Sequence, residues 1–307
     1  MTPEKFLQNL LASQNLSDQQ EKDLQAHKKE VTDFLRAKFG NDPVIEDAGS
    51  RKKGTMVCDK YDLDIVCYFP SSDTRSLKDI REDVAKHLAQ NYLTTSKASA
   101  ERILDLKGST APGDFHIDVV PGRFIEDTKD VFLHVAYGDK ERMQTNLKTH
   151  IDHIANSECV SVIRLVKLWA IRNNVKIKTF VLELFVVKTL SGSQSKNDLE
   201  KSFLYVIETL RDKFEMTGLE DPANSNNTVS QLLSSVEKSA VAHAAGDALN
   251  VIEESDGIKG WQTIFCEEDV ENYDSLTQSS TPSPTQTPNT GFIPHSPHCT
   301  LYVNETI

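Results

Sequence analysis

Apolar residues recur with helical spacing over the first long element of the chain. Between positions 16 and 39 they fall three, four or one residue apart, which places them on one face of a helix. Gly40 and the Asp42-Pro43 pair follow at once, and such residues are typical of a helix end. The pattern predicts one long helix whose buried face carries Leu24, His27, Val31, Phe34 and Leu35.

Short apolar runs bounded by turn-forming residues follow this helix. Their length and their alternation with polar residues are typical of strands. The residues from Gly108 to Gly113 form one such turn between two of the runs. The predicted strands span 44–47, 65–69, 101–107 and 114–121, and a second helix spans 76–92.

From about Met143 onward the pattern is helical. The predicted helices cover 160–172, 179–190, 198–214 and 229–255. A strand-rich lobe over 1–142 followed by a helical lobe over 143–270 predicts an α+β fold of two lobes. A ligand is expected in the cleft between them.

The composition changes after residue 271. Residues 271–307 are rich in Ser, Thr, Pro and Gln, and such a segment cannot bury enough apolar surface to hold a fold. We expect a flexible tail. Its last residues, from Cys299 to Ile307, could add a strand or dock on a partner protein, although a disordered end is the stronger expectation.

Composition sets the broad class of the protein. The chain has 307 residues, of which 38% are apolar and 26% charged, as in ordinary globular proteins. It has no apolar run of about 18 residues that could span a membrane, and its start lacks the apolar segment of a secretory signal. Its five cysteines are odd in number and scattered. Reduced thiols and a cytoplasmic location are therefore expected.

Net charge bears on the choice of partner. The formal charge is −12, whereas proteins that bind a nucleic-acid duplex usually carry a basic face. Cations cluster instead at Arg51 to Lys53 and between Lys167 and Lys178. The distribution favours a single anionic ligand over duplex nucleic acid, although a local basic patch stays open.

Asp62 and Asp64 flank Leu63 at the start of an apolar run. Residues two apart on a strand share a face, about 6.5 Å apart along it, so the two carboxylates converge while Leu63 enters the core. Two converging carboxylates repel each other unless a cation neutralises them. Mg²⁺ suits them because it prefers oxygen ligands. The alternative is a solvated Asp-x-Asp at a strand start.

Gly49 and Ser50 follow the predicted strand 44–47. Ser50 is expected to cap a short helix that begins near Arg51, with Lys52 and Lys53 adding positive charge. Free backbone N–H groups at a helix start bind phosphate. The pattern predicts a site for the distal phosphates of a nucleotide, and the alternative for a Gly-Ser pair alone is an ordinary turn.

A third acid, Asp118, lies on the strand predicted over 114–121. Alternation places His116, Asp118 and Val120 on one face, and Asp114 is expected to be exposed at the strand mouth. If this strand neighbours the first, Asp118 meets Asp62 and Asp64. Three carboxylates can hold two metal ions that act on the attacking and leaving oxygens of a displacement. Asp118 could also accept the proton of an attacking hydroxyl.

Five motifs in chain order, between residues 17 and 265, give the chain its resemblance to a known family. It resembles the bacterial oligoadenylate-synthetase-like and cyclic GMP-AMP synthase-like nucleotidyltransferases, the CD-NTase family. The motifs are Gly49-Ser50 with Lys53-Gly54-Thr55 and Asp62-Leu63-Asp64; Ile117 to Pro121; Val162 to Trp169; Lys178 to Leu184; and Leu219 to Pro222 with Asn226-Asn227.

The resemblance implies a polymerase-beta-like fold, with a mixed-sheet palm, a long spine helix and a C-terminal helical lobe. It implies an enzyme that uses two Mg²⁺ ions, for which Mn²⁺ could substitute, held by Asp62, Asp64 and Asp118. The substrates would be nucleoside triphosphates, ATP among them. The product would be a cyclic or short linear oligonucleotide second messenger, in bacterial anti-phage signalling, with possible regulatory or effector proteins as partners.

The resemblance also implies roles for residues of the helical lobe. Lys167 would reach the triphosphate, Thr179 would hydrogen-bond a phosphate oxygen, and Phe180 would stack on a base as Tyr does in relatives. Phe180 lacks the tyrosine hydroxyl, and its alternative is a core aromatic. Lys178 is a weaker candidate, since it could point into solvent. Asn227, with the turn at Asp221-Pro222, would brace the base pocket.

Two other functions stay open at this level. The chain could transfer nucleotides to an RNA end or a small-molecule acceptor. It could also be a catalytically inactive relative that binds nucleotides as a sensor, although an intact set of three acids argues against that. The sequence does not specify which bases are joined, the 2'-5' or 3'-5' linkage, or ring closure.

Overall fold

One mixed sheet of seven strands supports the N-terminal lobe in the computed structural model, which describes residues 1–104, 106, 115–137, 141–192 and 198–267. The strand order is β1-β2-β5-β4-β3, and β6 extends from β5 to β7. Only β2 and β5 pair in parallel among these strands; the other pairs are antiparallel. The strands are β1 Val44–Asp47, β2 Leu63–Phe69, β3 Leu93–Ser96, β4 Glu101–Leu104, β5 Ile117–Phe124, β6 Val131–His134 and β7 Arg142–Thr145.

Ten α-helices accompany the sheet in the described part of the chain. A short hairpin of β8 (Glu220–Asp221) and β9 (Asn224–Thr228) lies among the later helices. The helices are α1 Pro3–Ser13, α2 Asp18–Phe39, α3 Gly49–Lys53, α4 Leu77–Leu88, α5 Leu147–Ala155, α6 Val160–Arg172, α7 Thr179–Leu190, α8 Leu199–Lys213, α9 Ser235–Glu254 and α10 Lys259–Ile264.

The long helix α2 confirms the prediction made for residues 16–39. Ser17 and Gln20 form a reciprocal capping box at its start, and Gly40 ends it with φ of +67°. Its inner face packs with α4 on one side of the sheet, in a core that includes Leu24 and Ile80. Strand β1 also has the predicted bounds.

Strand β2 is buried because both of its faces are covered. Leu63, Ile65 and Cys67 join the core under α2 and α4. Val66 and Tyr68 join a smaller core on the opposite face, with residues of β6. Strict alternation therefore places Asp64 on the same face as Val66, at the edge of that smaller core.

The helical lobe has its own apolar core, built on α6, α7 and α8. It includes the fully buried side chains of Trp169 and Phe185. Helix α1 belongs to this core through Leu7 and Leu10, although its residues precede the sheet in sequence. Residues 3–13 thus pack with the second lobe rather than with the predicted lobe 1–142.

Three predicted boundaries need correction. Strand β7 continues the sheet to Thr145, so the helical part begins later than residue 143. Strand β5 begins at Ile117 and runs to Phe124, which shifts the strand predicted over 114–121; Asp114 lies outside the described residues. Helix α9 begins at Ser235, after a single 3-10 turn, rather than at residue 229.

The structure bears on two expectations, the lack of a membrane-spanning segment and the presence of reduced thiols. None of the helices in the described ranges is both long and apolar enough to cross a membrane. Cys58, Cys67 and Cys159 form no disulfide, as expected. Cys266, however, is disulfide-bonded, which departs from the expectation of reduced thiols throughout. The predicted tail 271–307 lies outside the described residues.

Candidate active site

The parallel pairing of β2 with β5 brings the predicted acids together. In this register Asp64 is the direct neighbour of Asp118, and the N–H of Leu63 donates to the carbonyl of His116 at 3.1 Å. Asp62 immediately precedes β2 on the same face as Asp64. Side chains directly opposite each other on adjacent strands lie about 5 Å apart at Cβ. The three carboxylates therefore share one corner of the sheet.

The shared negative charge perturbs these groups. Burial raises the pKa of Asp64 to about 7, and the charges of Asp62 and Asp118 add to this effect. Burial also acts to raise the pKa of Asp62, but a hydrogen bond from His116 and nearby positive charges outweigh it, so that pKa is lowered. His116 Nε2 lies 3.4 Å from Asp62 Oδ2. Of these two carboxylates, only Asp64 has a raised pKa.

Asp118 has a partner that the sequence did not predict. Arg102 lies opposite it in the β4–β5 register, and its Nε and Nη2 donate to the two carboxylate oxygens at 2.8 Å each. This bidentate pair fixes the plane of the Asp118 carboxylate. A carboxylate oxygen has two lone pairs, so the pairing leaves each oxygen able to accept another ligand.

The donor set fits a hard divalent cation. Within the described ranges no group of three His, Cys, Asp or Glu side chains is already arranged as a metal cage. The three carboxylates nevertheless supply the oxygen ligands that Mg²⁺ prefers. Burial is the main cause of the raised pKa of Asp64, and the charges of Asp62 and Asp118 raise it further, while Lys53 and His116 act in the opposite direction. A metal ion would relieve the repulsion among the carboxylates.

Gly49 packs directly against the Asp64 carboxylate. Its φ is +58°, and a Cβ built there would lie 1.6 Å from Asp64 Oδ2. The N–H of Ala48 donates to the Asp64 carbonyl at 2.9 Å, which ties the turn to β2. Only glycine satisfies both the backbone conformation and the close approach. The turn and the acids therefore form one unit.

Ser50 does not cap a helix, contrary to the prediction. Helix α3 begins at Gly49, two residues before the predicted start near Arg51, and Ala48 is the extended residue at its N-cap. The carbonyl of Ser50 accepts from the N–H of Thr55 at 2.9 Å, which closes the turn at the far end of α3. Ser50 is half-buried within this short helix, beside Gly49.

Ion pairs use much of the basic cluster beside the turn. Arg51 pairs with Glu21 and, at 2.7 Å, with Asp47. Lys53 pairs with Glu183, which is fully buried in α7. The side chain of Lys53 keeps 11% of its surface exposed. Lys53 therefore lies at the site, but a protein carboxylate already binds its ammonium.

Lys167 lies beneath the turn rather than at an open surface. The residue is 8% exposed, and its Nζ donates to the carbonyl of Thr55 at 2.8 Å. Burial lowers the pKa of Lys167, while Glu183 acts in the opposite direction. This placement corrects the expectation that Lys167 reaches a triphosphate directly. Its ammonium supports the turn from below and lies close enough to Asp62 and Asp64 to act on their charge.

The start of α7 brings the predicted base-binding residues to the same region. Lys178 and Thr179 are exposed, and Phe180 is half-buried. The Lys53 ammonium lies 5.7 Å from the centroid of the Phe180 ring, a cation–π distance. Phe180 also packs on the helical core, so it has features of both readings made from the sequence. Lys178 has no side-chain capping bond to the helix.

Asn227 braces a loop at the edge of this region. Its Nδ2 donates to Asp221 Oδ2 at 3.1 Å and to the Gln144 carbonyl at 3.2 Å. Asp221 Oδ1 also lies 2.6 Å from His150 Nε2, and the His150 ring lies 4.9 Å from that of Phe180. The side-chain amide of Asn227 thus hydrogen-bonds to the loop itself. Through Asp221 and His150 this hydrogen-bond network extends to Phe180, the candidate for base stacking.

Arg102, Glu183 and His150 belong to the site, and none of them was predicted from the sequence. Glu183 lay within a recognised motif, but nothing in the motif showed that it binds the turn. Arg102 precedes Ile103 on a predicted strand, and only the β4–β5 register places it against Asp118. Their roles depend on pairing between elements.

Comparison with known proteins identifies the fold. No family model matches the chain, and no curated protein matches it. Among solved structures, CdnC of Escherichia coli MS115-1 with ATP superposes with a TM-score of 0.68 at 20% identity, over 85% of this chain and 97% of that one. The complex of the same CdnC with HORMA-deltaN gives 0.65 at 19% identity, over 83% and 93%.

A third structure shares this architecture. The Elizabethkingia meningoseptica CdnE cyclic dinucleotide synthase with GTP and Apcpp gives a TM-score of 0.59 at 15% identity, over 76% of this chain and 99% of that one. The chain therefore has the two-lobed, polymerase-beta-like nucleotidyltransferase fold, with a mixed sheet and a helical lobe, as the sequence predicted.

Proposed function

We propose that the protein is a Mg²⁺-dependent nucleotidyltransferase of the CD-NTase type. It would join nucleoside triphosphates into a cyclic or short linear oligonucleotide and release pyrophosphate. The observation that carries the proposal is the Asp64–Asp118 register beside the Gly49 turn, with Asp62 at the start of the same strand. The similar folds bound to ATP, or to GTP and Apcpp, support nucleoside triphosphates as the ligands.

The acids would hold the metal and receive the proton. Bound Mg²⁺, or Mn²⁺ in its place, would neutralise charge on the phosphates and the reacting oxygens. Asp62 and Asp64 would be its principal ligands, and Asp118 would join them. Asp118 would accept the proton of a ribose hydroxyl while the oxygen of that hydroxyl attacks the α-phosphorus. The bond from the α-phosphorus to the bridging oxygen then breaks, and pyrophosphate leaves. Arg102 would keep the Asp118 carboxylate oriented.

The turn and α7 would position the nucleotide. Gly49, Ser50 and Lys53 would bind the phosphates, with Thr179 as a further hydroxyl donor. Phe180 would stack on a base, beside the exposed Lys178. Binding that aligns the two reacting nucleotides contributes most of the catalysis in reactions of this kind. Asn227 and Lys167 would act indirectly, by supporting the loop and the turn that they contact.

A reaction without any added acceptor tests this function. The protein is incubated with the four nucleoside triphosphates and Mg²⁺, and the products are analysed by mass spectrometry. An oligonucleotide product is the expected result, and its mass and nuclease sensitivity identify bases, linkage and ring closure. Absence of product in this mixture, followed by turnover when an RNA or a small-molecule acceptor is added, would replace the proposal with the acceptor-dependent transferase.

One observation favours a second candidate, a nucleotide-binding sensor without turnover. The two charge-assisted hydrogen bonds from Arg102 offset much of the negative charge of Asp118, so this carboxylate would attract a metal ion less strongly even though each oxygen keeps a lone pair. The sensor would be supported if the protein binds ATP but releases no pyrophosphate in all of the mixtures above, with and without an added acceptor.

Mg²⁺ is expected to raise the melting temperature of the protein. A ligand at 100 times its Kd stabilises the native state by about 2.7 kcal/mol, and here it also relieves repulsion among the carboxylates. Thermal unfolding with and without Mg²⁺ in the absence of nucleotide measures the shift. The shift should vanish in a protein that carries both Asp62→Ala and Asp64→Ala. An equal shift in that variant would place the metal elsewhere.

The setting and partners of the enzyme follow from this proposal. Nucleoside triphosphates are cytoplasmic metabolites, so we place the reaction in the cytoplasm, as a step in bacterial anti-phage signalling. The similar CdnC forms a complex with HORMA-deltaN. We therefore propose that a regulatory or effector protein binds this chain as well, with the segment 271–307 as a candidate for the contact.

A further inference from the structure

Glu183 joins the end of helix α3, at Lys53 and Thr55, to the helical lobe. It has no exposed surface. One of its carboxylate oxygens binds the Lys53 ammonium, and the other accepts from the Thr55 hydroxyl at 2.6 Å. Lys53 and Thr55 flank Gly54, which has φ of +71° at the end of α3. A single carboxylate from α7 therefore holds both sides of this reversal of the chain.

The charges around Glu183 are unusual for a buried site. Lys53 and Lys167 both act on it, since Lys167 lies beneath the same turn and donates to Thr55. Two ammonium groups and the Glu183 carboxylate therefore meet under the turn, and Asp62 and Asp64 also act on the charge of Lys167. Burying ions is costly, and an apolar replacement of similar volume is often as stable. A role in positioning explains why a charged group occupies this junction.

We propose that Glu183 is a positioning residue that fixes Lys53 for binding the phosphates of the nucleotide. The inference rests on the proposed function and extends it to the junction of the lobes. An ammonium has three donors, and the bond to Glu183 uses one of them, so two remain for phosphate oxygens. Glu183 acts through Lys53: it removes the rotational freedom of a long side chain and keeps its charge beside the turn rather than in solvent.

A double-mutant cycle on ligand binding tests this role. Isothermal titration of the full chain with Mg²⁺ measures the affinity for α,β-methylene ATP, whose α–β bridge is not cleaved, and for adenosine. Glu183→Gln should weaken binding of the triphosphate analogue about tenfold and leave adenosine unchanged. Lys53→Met should have an effect of at least that size. The double variant should bind like Lys53→Met alone, because the two residues act as one unit.

Two further variants serve as a control and as an alternative to Glu183→Gln. Glu208→Gln changes an exposed glutamate of the same lobe and should leave both affinities unchanged. Thr55→Val removes the second bond to Glu183 without altering charge, and it too should weaken the triphosphate analogue selectively. This variant carries the test if Glu183→Gln does not fold.

Specific results overturn the inference. An equal loss of affinity for adenosine and for the triphosphate analogue in Glu183→Gln would indicate a merely structural residue. So would an effect that adds fully to that of Lys53→Met. Unchanged binding of the analogue in both Glu183→Gln and Thr55→Val would also reject the role. Failure of the proposed function is distinct, because then the unaltered protein itself would not bind the analogue.

Discussion

Asp62→Ala combined with Asp64→Ala is expected to abolish pyrophosphate release while the protein stays folded. Loss of a single charge-stabilising contact typically lowers kcat on the order of 100- to 1000-fold, and this variant removes two metal ligands at once. Metal-free stability should change little, because the loss of Asp64, whose ionisation is opposed by burial and by the charges of Asp62 and Asp118, offsets the loss of the favourable contacts of Asp62 with His116 and nearby cations. A pyrophosphate-release assay and thermal unfolding without Mg²⁺ measure the two effects.

A matched variant separates the metal role from a general effect of acid removal. Asp33→Ala removes a carboxylate on α2. The Asp33 side chain is 58% exposed to solvent. The turnover of Asp33→Ala should equal that of the unaltered protein. Retained turnover in the Asp62–Asp64 variant would refute the metal assignment. A marked fall in its melting temperature would instead show that the carboxylates stabilise the fold.

Gly49→Ala, which adds a single methyl group beside the acids, should strongly reduce activity. The new Cβ would lie 1.6 Å from Asp64 Oδ2, so the carboxylate or the turn must move, and φ of +58° strains any side chain there. Displacement of a reacting group by about 1 Å can cost on the order of 100-fold in rate. We expect a loss of that size in kcat/KM, together with weaker Mg²⁺ binding in the thermal assay.

Gly40→Ala provides the control for backbone strain alone. Gly40 has a similar φ of +67°, but nothing lies within 4 Å of the position of its Cβ. It should lower stability by about 1–3 kcal/mol, since φ of +67° with ψ of −145° is a backbone conformation that essentially only glycine adopts, and its kcat/KM should be unchanged. Equal activities of the two variants would show that the contact between Gly49 and Asp64 does not matter for the reaction.

Local patterns predicted the elements that carry strong periodicity. The helix over 16–39 was found at Asp18–Phe39, and α6 and α7 have the predicted bounds. These segments are long, or apolar on the face that they bury, so the spacing of their own residues defines them. Strand β7 reads Arg-Met-Gln-Thr and lacks such alternation. It forms because it pairs with the edge of β6, and four residues with one apolar side chain, Met143, carry too little pattern to predict that.

The site divides along the same line. Asp62, Asp64 and Asp118 were predicted because strand periodicity gives the facing of each acid, and the resemblance indicated that their strands are neighbours. The capping role of Ser50 was wrong, because Ala48 takes the extended conformation and α3 begins at Gly49. Lys167 was expected at the phosphates. The packing of α6 against the turn buries its ammonium on the Thr55 carbonyl instead.

The sequence by itself determined which segments form the strands and helices of the site and which of their faces carry acids, because those properties repeat over two to four neighbouring residues. It did not determine where α3 and β5 begin. Only the tertiary structure decided which charges meet. Arg102 binds Asp118 through the register of β4 on β5, and Glu183 binds Lys53 across 130 residues of sequence. Such pairs depend on how separate elements pack, and no local pattern encodes the distance between them.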